Sequence, residues 1–212
     1  MAAVIFTVPL SALANELTII VKNPSQDLVK NIVVYVTPDQ HIDDLLPNTT
    51  PLYIDQIDKK FAPYITVLQR GQAINFVNKD DITHHIYSVS GENRFEFKIK
   101  KGHEKSTQKL NAVEEVAMGC NIHDWMSGYA LVVDTPFFGK TNEEGKLTLS
   151  LPQAGAYTVT VWHPQLDVQG NRISQPVQLT QSSAEFQMTL PKSLLPIPEQ
   201  SGQDDFDFLE GY

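Results

Sequence analysis

Short runs in which apolar and polar residues alternate recur along the whole chain. Alternation with period two turns one face of an extended segment toward a core, and β-branched residues favour that conformation. The pattern predicts strands over Leu17 to Val21, Ile32 to Val36, Ile65 to Leu68, Ile74 to Val77, Ile86 to Val89, Tyr129 to Val133, Leu147 to Leu151, Tyr157 to Trp162 and Phe186 to Leu190. Glycine-containing turns separate these runs, which indicates an all-β protein built as an antiparallel sandwich.

Length and composition narrow the class of protein. The 212 residues suffice for two small β-domains with separate cores. With 42% hydrophobic and 19% charged residues, the chain is not disordered throughout. Its formal net charge of -9 argues against nucleic acid and anionic membranes as partners, because both need clustered Lys and Arg.

The first fourteen residues, MAAVIFTVPLSALA, form an apolar run that ends in Ala12-Leu13-Ala14. Small residues at this spacing are typical of a signal-peptide cleavage site, so we predict a periplasmic or otherwise exported protein. The run lacks a basic residue at its start, since Lys22 is the first, and a buried first strand is the alternative. No segment has the ~18 to 20 consecutive apolar residues that a membrane span needs.

Charge is distributed unevenly along the chain. Residues 193–212 contain acidic residues but no Lys or Arg, and we expect them to form a flexible acidic tail. Basic residues cluster upstream, at Arg94, Lys98, Lys100, Lys101, Lys105 and Lys109. This basic cluster is either a solvated face or a docking surface for an acidic partner or for the protein's own tail.

One short segment combines three potential soft metal ligands. In GCNIHDWMSG, residues 119–128, the thiol of Cys120, the imidazole of His123 and the thioether of Met126 are spaced three residues apart. Cys120 is the only cysteine, and a free thiol in an exported protein needs burial or a metal. Thiolate and thioether favour Cu(I), while imidazole binds both oxidation states of copper. The set therefore suits a copper ion that exchanges electrons.

A second imidazole has to come from elsewhere in the chain. The segment NKDDITHHIY, residues 78–87, offers His84 and His85 at the entry to a predicted strand. Adjacent strand residues face opposite sides, so only one of the two can point into the site. Two imidazoles and one thiolate in a plane, with a methionine at longer range, form the trigonal site of blue-copper proteins.

Residues 51–134 resemble the cupredoxins, the family of plastocyanin and amicyanin. The resemblance rests on Phe61-Ala62-Pro63, on GQAINFVN at residues 71–78, on the His84 strand and on the Cys-x-x-His-x-x-Met loop. It implies a cupredoxin Greek-key β-sandwich with one mononuclear type 1 copper ion. The ligands implied by the resemblance are His84, Cys120, His123 and, in the axial position, Met126.

Some features go beyond the common cupredoxin pattern. His85 and Asp124 stand where relatives commonly have asparagine and proline, which affects the redox potential more than copper binding. The double histidine also resembles exported proteins of the methylamine-utilisation type. The other histidines, His41, His103 and His163, lack partners at ligand spacing and are expected to be surface or loop residues.

The flanking segments resemble a different sandwich. Residues 141–149 and the Gly-x-Tyr-x-Val strand after Pro152 are similar to the carboxypeptidase regulatory-like module. We expect this module to comprise residues 15–50 and 135–192, with the cupredoxin inserted in it. The resemblance implies a scaffold without catalysis, so the expected function depends on the metal site.

The expected function is that of a type 1 (blue) copper protein that carries single electrons between periplasmic redox partners, such as a cytochrome or an oxidoreductase. An enzyme is not expected, because a full set of ligands leaves no open coordination position. A periplasmic copper-binding chaperone or sensor is the alternative. A metal-free adhesion or carbohydrate-binding sandwich is a third interpretation.

Overall fold

The computed structural model describes residues 15–42, 45–89, 91–180 and 182–201, so the predicted signal peptide at residues 1–14 lies outside the described residues. Within the described ranges the chain forms β-strands and one 3-10 turn, Gln169–Asn171, and no α-helix. In chain order the strands are β1 (Asn15–Lys22), β2 (Val33–Pro38), β3 (Leu52–Ile57), β4 (Lys60–Ala62), β5 (Ile65–Gln69), β6 (Ile74–Asn78), β7 (His84–Ser88), β8 (Phe95–Ile99), β9 (Glu104–Ser106), β10 (Glu115–Cys120), β11 (His123–Val133), β12 (Phe138–Lys140), β13 (Lys146–Leu151), β14 (Gly155–Trp162), β15 (Arg172–Leu179) and β16 (Ser183–Thr189).

The strands form two pairs of sheets. One pair has the spatial orders β13-β1-β16 and β12-β2-β14-β15. The other pair, β5-β11-β10-β7-β8 and β4-β3-β6-β9, uses only strands between residues 52 and 133. Strand β2 is hydrogen-bonded to β12, so the chain leaves the first pair after β2, builds the second and returns at β12. The predicted all-β sandwich class is confirmed.

Each pair of sheets encloses its own hydrophobic core. Ile19, Val36 and Val159 are fully buried in the first core, while Phe76 and Ile86 are fully buried in the second. These residues lie at the apolar positions of the alternating runs. Removing that apolar surface from water is the main term that favours the folded chain, because burial contributes about 25 cal/mol per Å².

A third apolar cluster joins the two sandwiches into a stack of four layers. It consists of Val33, Ile65, Val67, Leu131, Val133 and Trp162, contributed by the outer faces of β2, β5, β11 and β14. Strand β5 is accordingly buried on both faces, which explains why its sequence reads as a continuous apolar run. At the edge of the cluster, Glu115 Oε2 accepts hydrogen bonds from Trp162 Nε1 at 3.3 Å and from Asn171 Nδ2 at 3.2 Å.

His163 is a loop residue, as expected, but its side chain is buried and only 4% of its surface is exposed. Its Nδ1 accepts a hydrogen bond of 3.1 Å from the backbone N–H of Gln165. Burial lowers the pKa of His163 to about 4, so the ring is neutral at physiological pH. His41 and His103 are exposed, as expected.

The first part of the predicted acidic tail has specific contacts. Leu194 packs against the first core, and the N–H of Leu195 donates to the carbonyl of Gln165 at 3.0 Å. Gln200 Nε2 then donates to Ser127 Oγ at 3.0 Å, while Gln200 Oε1 accepts from the N–H of Ser127 at 3.2 Å. Residues 193–201 thus run from the first sandwich to Ser127 of β11, which follows Met126. Among the described residues, no helix is long and apolar enough to cross a bilayer.

Candidate metal centre

Strand β7 decides which of the two adjacent histidines points into the protein. Burial alternates along it, and His84, Ile86 and Ser88 face inward. His84 is fully buried, whereas His85 faces outward, where its Nε2 lies 2.7 Å from Glu96 Oε1. The apolar Ile86, two residues after His84, is the signal in the sequence that predicts this orientation, because residues i and i+2 share a face.

Cys120 and His123 are brought together by the turn between β10 and β11. Cys120 ends β10, His123 begins β11, and the two residues are paired across the ladder. The N–H of Asn121 donates to the carbonyl of His85 at 2.9 Å, which ties this turn to β7. All three residues, His84, Cys120 and His123, are buried, and their potential ligand atoms lie within 4.8 Å of one another.

A bulge in β11 accounts for the position of Met126. Cys120 pairs with His123, but the preceding residue, Gly119, pairs with Ser127, so residues 124–126 are extra on β11. In a regular strand His123 and Met126 would face opposite sides, since they are an odd number of residues apart. With the bulge, both side chains are buried, and Met126 packs in the same core cluster as Cys120.

The distances between the three groups fit a mononuclear metal ion. Cys120 Sγ lies 3.6 Å from His84 Nδ1 and 3.8 Å from His123 Nδ1. A first-row metal binds thiolate at about 2.3 Å and imidazole at about 2.0 to 2.1 Å, and two such bonds about 110 to 120° apart separate sulfur and nitrogen by about 3.6 to 3.8 Å. Two imidazole nitrogens about 120° apart on one ion are separated by about 3.6 Å, so a group whose ligand atoms lie within 4.8 Å of one another needs at most about 1.2 Å of adjustment.

Asp80 holds the second nitrogen of His84. The His84 Nε2–H donates to Asp80 Oδ2 at 2.7 Å, and the same carboxylate accepts the backbone N–H groups of Asp58 at 2.7 Å and Lys59 at 3.0 Å. A carboxylate in this position fixes the orientation and tautomer of a metal-binding imidazole. Asp80 was not among the residues predicted from the sequence. The only sign of it in the sequence is its position four residues before His84. This spacing brings side chains together in a helix but not in a loop, so the signal is weak.

The protonation states of the three groups are coupled. Burial raises the pKa of the Cys120 thiol, but hydrogen bonds from His84 and from the backbone N–H groups of Ile122 and His85 outweigh it, and the pKa is lowered. Burial likewise lowers the pKa of His84, yet its bonds to Cys120 and Asp80 leave it raised. For Asp80, burial raises the pKa, and the bonds from His84 and two backbone N–H groups lower it overall. The contacts between these groups thus shift each pKa in the direction that favours its charged form, and a metal cation would take the place of the proton between Cys120 Sγ and His84 Nδ1.

His123 lies nearest to the protein surface of the two imidazoles. Its residue is 7% exposed, and its ring contacts Trp125 at a centroid distance of 5.2 Å. Ile122, directly before it, is 52% exposed. Met118, in contrast, is buried in the core, as expected for a packing residue. The end of the sandwich that carries His123 thus presents a small apolar surface.

Comparisons with known proteins give partial similarities only. No family model and no curated protein matches the chain. A Cu-containing nitrite reductase from Thermus scotoductus SA-01 is 20% identical over 44% of this chain and 25% of its own, with a TM-score of 0.38. A Cu(I) form of an amicyanin variant is 18% identical over 39% of this chain and 82% of its own, with a TM-score of 0.36. A purple cupredoxin from Nitrosopumilus maritimus is 16% identical over 39% of this chain and 99% of its own, with a TM-score of 0.35. The likenesses to methylamine-utilisation proteins and to the carboxypeptidase regulatory-like module stay predictions.

Proposed function

We propose that this protein is a type 1 copper protein that carries single electrons. The observation that supports this function is the buried group formed by one thiolate and two imidazoles, with the S–N distances of a trigonal site and Met126 in the same core. A soft thiolate, two imidazoles and a distant thioether are the donors that blue-copper electron-transfer sites use. His84, Cys120, His123 and Met126 are the residues that would hold the ion.

Hydrogen bonds from neighbouring segments hold the ligand side chains of this site in place. Asp80 keeps a proton on His84 Nε2 and leaves Nδ1 for the metal. Backbone N–H groups of Ile122 and His85 stabilise the charge on Cys120 Sγ. Bound copper would supply a one-electron couple between Cu(I) and Cu(II). A ligand set held by strands and by backbone hydrogen bonds moves little between the two states, which favours rapid electron exchange.

His123 is the proposed route for electrons to and from a partner. Its ring is the imidazole closer to the surface, and Ile122 and Trp125 surround it with apolar groups. A small apolar surface favours a transient complex with a redox protein such as a cytochrome or a periplasmic oxidoreductase. Four protein ligands leave no position for a substrate, so we propose a carrier rather than an enzyme.

The organisation of the chain agrees with an exported carrier on a scaffold. We propose that residues 51–134 form the copper domain and that residues 15–50 and 135–192 form a supporting sandwich without catalysis. The apolar cluster around Trp162 fixes the two together. Residues 1–14 are proposed to direct export to the periplasm. A single cysteine is exposed to oxidation there unless it is buried or binds a metal, and Cys120 would be protected in both ways.

The first experiment compares the two adjacent histidines in copper-loaded protein. We expect oxidised wild-type protein to show intense visible absorption and a reversible one-electron titration. His84→Ala and Cys120→Ser should lose the absorption, because each removes a group that faces the site. His85→Ala is the matched control, since its side chain faces the opposite side of β7 and should leave the spectrum intact. Equal spectra for the two histidine variants would refute the ligand assignment.

The same sample separates the carrier from the alternative function. A copper chaperone or sensor would bind Cu(I) without colour and would not cycle reversibly between the two oxidation states. Such a result, with copper loss in His84→Ala, would assign the site to copper handling. A protein that retains no copper after reconstitution would refute both functions.

A second pair of variants tests the axial position. Met126 and Met118 are both buried in the core of the copper sandwich. Met126 lies in the bulge of β11, after Cys120 and His123, whereas Met118 lies on β10, before Cys120. Met126→Leu should raise the reduction potential and change the absorption spectrum, because the axial thioether tunes the potential. Met118→Leu should leave both unchanged. The assignment of Met126 fails if the two variants behave alike.

A further inference from the structure

One backbone N–H beside the metal centre lies beyond the end of the neighbouring strand. Strand β5 pairs with β11 from Ile65 opposite Tyr129 onward, and the N–H of Tyr129 donates to the carbonyl of Tyr64 at 2.8 Å. Backbone N–H groups two residues apart point to the same side of a strand. The next N–H on this side, toward the metal centre, belongs to Ser127, and β5 begins too late in the chain to accept it.

The side chain of Gln200 accepts this N–H in place of a strand. Gln200 Oε1 accepts from the N–H of Ser127 at 3.2 Å, and Gln200 Nε2 donates to Ser127 Oγ at 3.0 Å. One amide thus binds both the backbone and the hydroxyl of a single residue. Ser127 directly follows Met126 and is the first residue after the three extra residues of the bulge in β11. Gln200 therefore closes the end of the bulge that contains a proposed metal ligand.

The segment that carries Gln200, residues 193–201, is itself anchored, and we call it the strap. It leaves the first sandwich at Leu195, whose N–H donates to the carbonyl of Gln165 at 3.0 Å. Two prolines between Leu195 and Gln200 restrict the backbone. Gln200 Nε2 also donates to the carbonyl of Pro198 at 3.2 Å, which orients the amide. Because the strap is restricted in this way, little conformational freedom is lost when Gln200 binds Ser127.

The contact between the strap and the copper sandwich is specific rather than a general apolar docking. Leu195 and Ile197 are 56% and 49% exposed, so the strap does not bury its large apolar side chains on the way. Residues 195–199 are all exposed, whereas Gln200 is half-buried. The polar pair of hydrogen bonds to Ser127 is accordingly the feature that fixes the strap at this end.

We propose that Gln200 is a positioning residue of the metal centre, which clamps Ser127, fixes the bulge and so holds the thioether of Met126 in place. This inference rests on the proposed copper function. Residues 124–126 have no partner on β10, since Gly119 pairs with Ser127 and Cys120 with His123. A bulge is unpaired within the ladder, so a bond at its end limits its motion. The strap thereby connects the supporting sandwich to the metal site.

The first measurement uses the metal-free, full-length protein and does not depend on copper. We expect the N–H of Ser127 to exchange with solvent about tenfold faster in Gln200→Ala than in the wild type, because it loses its acceptor. Ile197→Ala is the matched control, since it shortens an exposed side chain of the same strap. The N–H of Tyr129, bonded to Tyr64, is the internal reference and should exchange equally in all three proteins. Equal exchange of Ser127 in the wild type and Gln200→Ala would overturn the clamp.

The second measurement is the reduction potential of the copper-loaded protein. Gln200→Ala should raise the potential, as Met126→Leu does, but by less, and Ile197→Ala should leave it unchanged. In the Met126→Leu background, Gln200→Ala should cause no further shift, because the clamp acts through the thioether. A purely structural role would not produce this dependence on the thioether.

The outcomes separate this inference from the function on which it rests. A wild-type protein with the visible absorption, but with the same potential in Gln200→Ala, would refute the role of Gln200 alone. Equal shifts with and without the thioether of Met126 would show that Gln200 acts by another route. A wild-type protein that shows no visible absorption would instead refute the proposed function, and with it the role of the thioether, whatever the exchange of Ser127.

Discussion

The carboxylate of Asp80 offers the sharpest test of how this chain holds its metal ligands. Asp80→Asn keeps the size of the side chain but leaves one acceptor oxygen in place of two. The carboxylate accepts three hydrogen bonds, from His84 Nε2 and from the N–H groups of Asp58 and Lys59. In the variant, at least one of these donors faces an amide NH₂ group.

The expected loss of Cu(I) affinity in Asp80→Asn can be worked out from the hydrogen bonds that the substitution weakens. A hydrogen bond to a charged group contributes about 1.5 to 3 kcal/mol, and one to a neutral group about 0.5 to 1.5 kcal/mol. Weakening the bond to His84 therefore costs about 1 to 2 kcal/mol, or a factor of about 5 to 30 in affinity. This range overlaps the 10- to 100-fold loss typical when the partner of a metal-binding histidine is removed. We expect Cu(I) affinity to fall about tenfold.

Competition with a chromophoric Cu(I) chelator at pH 7 measures this loss. Asp81→Asn is the matched control, because it removes the same charge from an exposed neighbour that does not contact His84. Urea unfolding of the metal-free variants separates a change in affinity from a change in folding. If Asp80→Asn binds Cu(I) as tightly as Asp81→Asn, the carboxylate does not orient His84 and our reasoning is wrong.

Three further predictions concern stability. The pKa of His163 is about 6.5 in the unfolded chain and about 4 in the folded protein, because burial disfavours the charged ring. As the pH falls from 6.5 to 4, the free energy of unfolding should therefore decrease by about 1.4 kcal/mol per pH unit, about 3 kcal/mol in total. His163→Asn, which keeps an acceptor, should remove this part of the acid sensitivity in urea titrations at pH 7.5 and 4.5. Trp162→Phe removes a donor to Glu115 and leaves a cavity between the sandwiches, and should cost about 2 kcal/mol or more in urea unfolding at pH 7. Gly128→Ala places a methyl group 3.1 Å from a ring carbon of Phe61 and should cost about 1 to 3 kcal/mol in the same assay.

Each of these has an outcome that contradicts it. Parallel loss of stability with acid in the wild type and His163→Asn would mean that other groups account for the whole effect. Trp125→Phe is the control for Trp162→Phe, because it makes the same change at a partly exposed tryptophan. Equal losses of stability in the two variants would show that the contact between Trp162 and Glu115 adds nothing to the stability. An unchanged urea midpoint for Gly128→Ala would show that the ring of Phe61 moves freely.

Local signals in the sequence were sufficient for nine of the sixteen strands and for the chemistry of the donors. All nine predicted strands overlap observed ones, because alternation reports which face of an extended segment is buried. Seven of the sixteen strands were missed. Five of them, β4, β8, β9, β12 and β15, lie at sheet edges, where the apolar pattern is weak. The other two, β3 and β10, are interior strands that the sequence analysis did not list.

The spacing Cys-x-x-His-x-x-Met already indicated that Cys120, His123 and Met126 can converge, because all three lie within one turn and one bulge. Ile86 is a local signal for the inward orientation of His84, but the position of His84 beside Cys120 needed the register of β7 against β10. That register is set by which residues pack with Ile86 in the core, a contact between strands that are far apart in sequence.

Other features depended entirely on the tertiary structure. Asp80 acquires its role only because the loop at residues 58–59 supplies two N–H groups to it, and Trp162 reaches Glu115 only because the two sandwiches pack together. The sequence by itself determined the strands and the donor atoms, since both follow from short-range periodicity and residue type. The tertiary structure decided which donors meet, which groups hold them and how the sandwiches join, because these contacts depend on packing between distant segments.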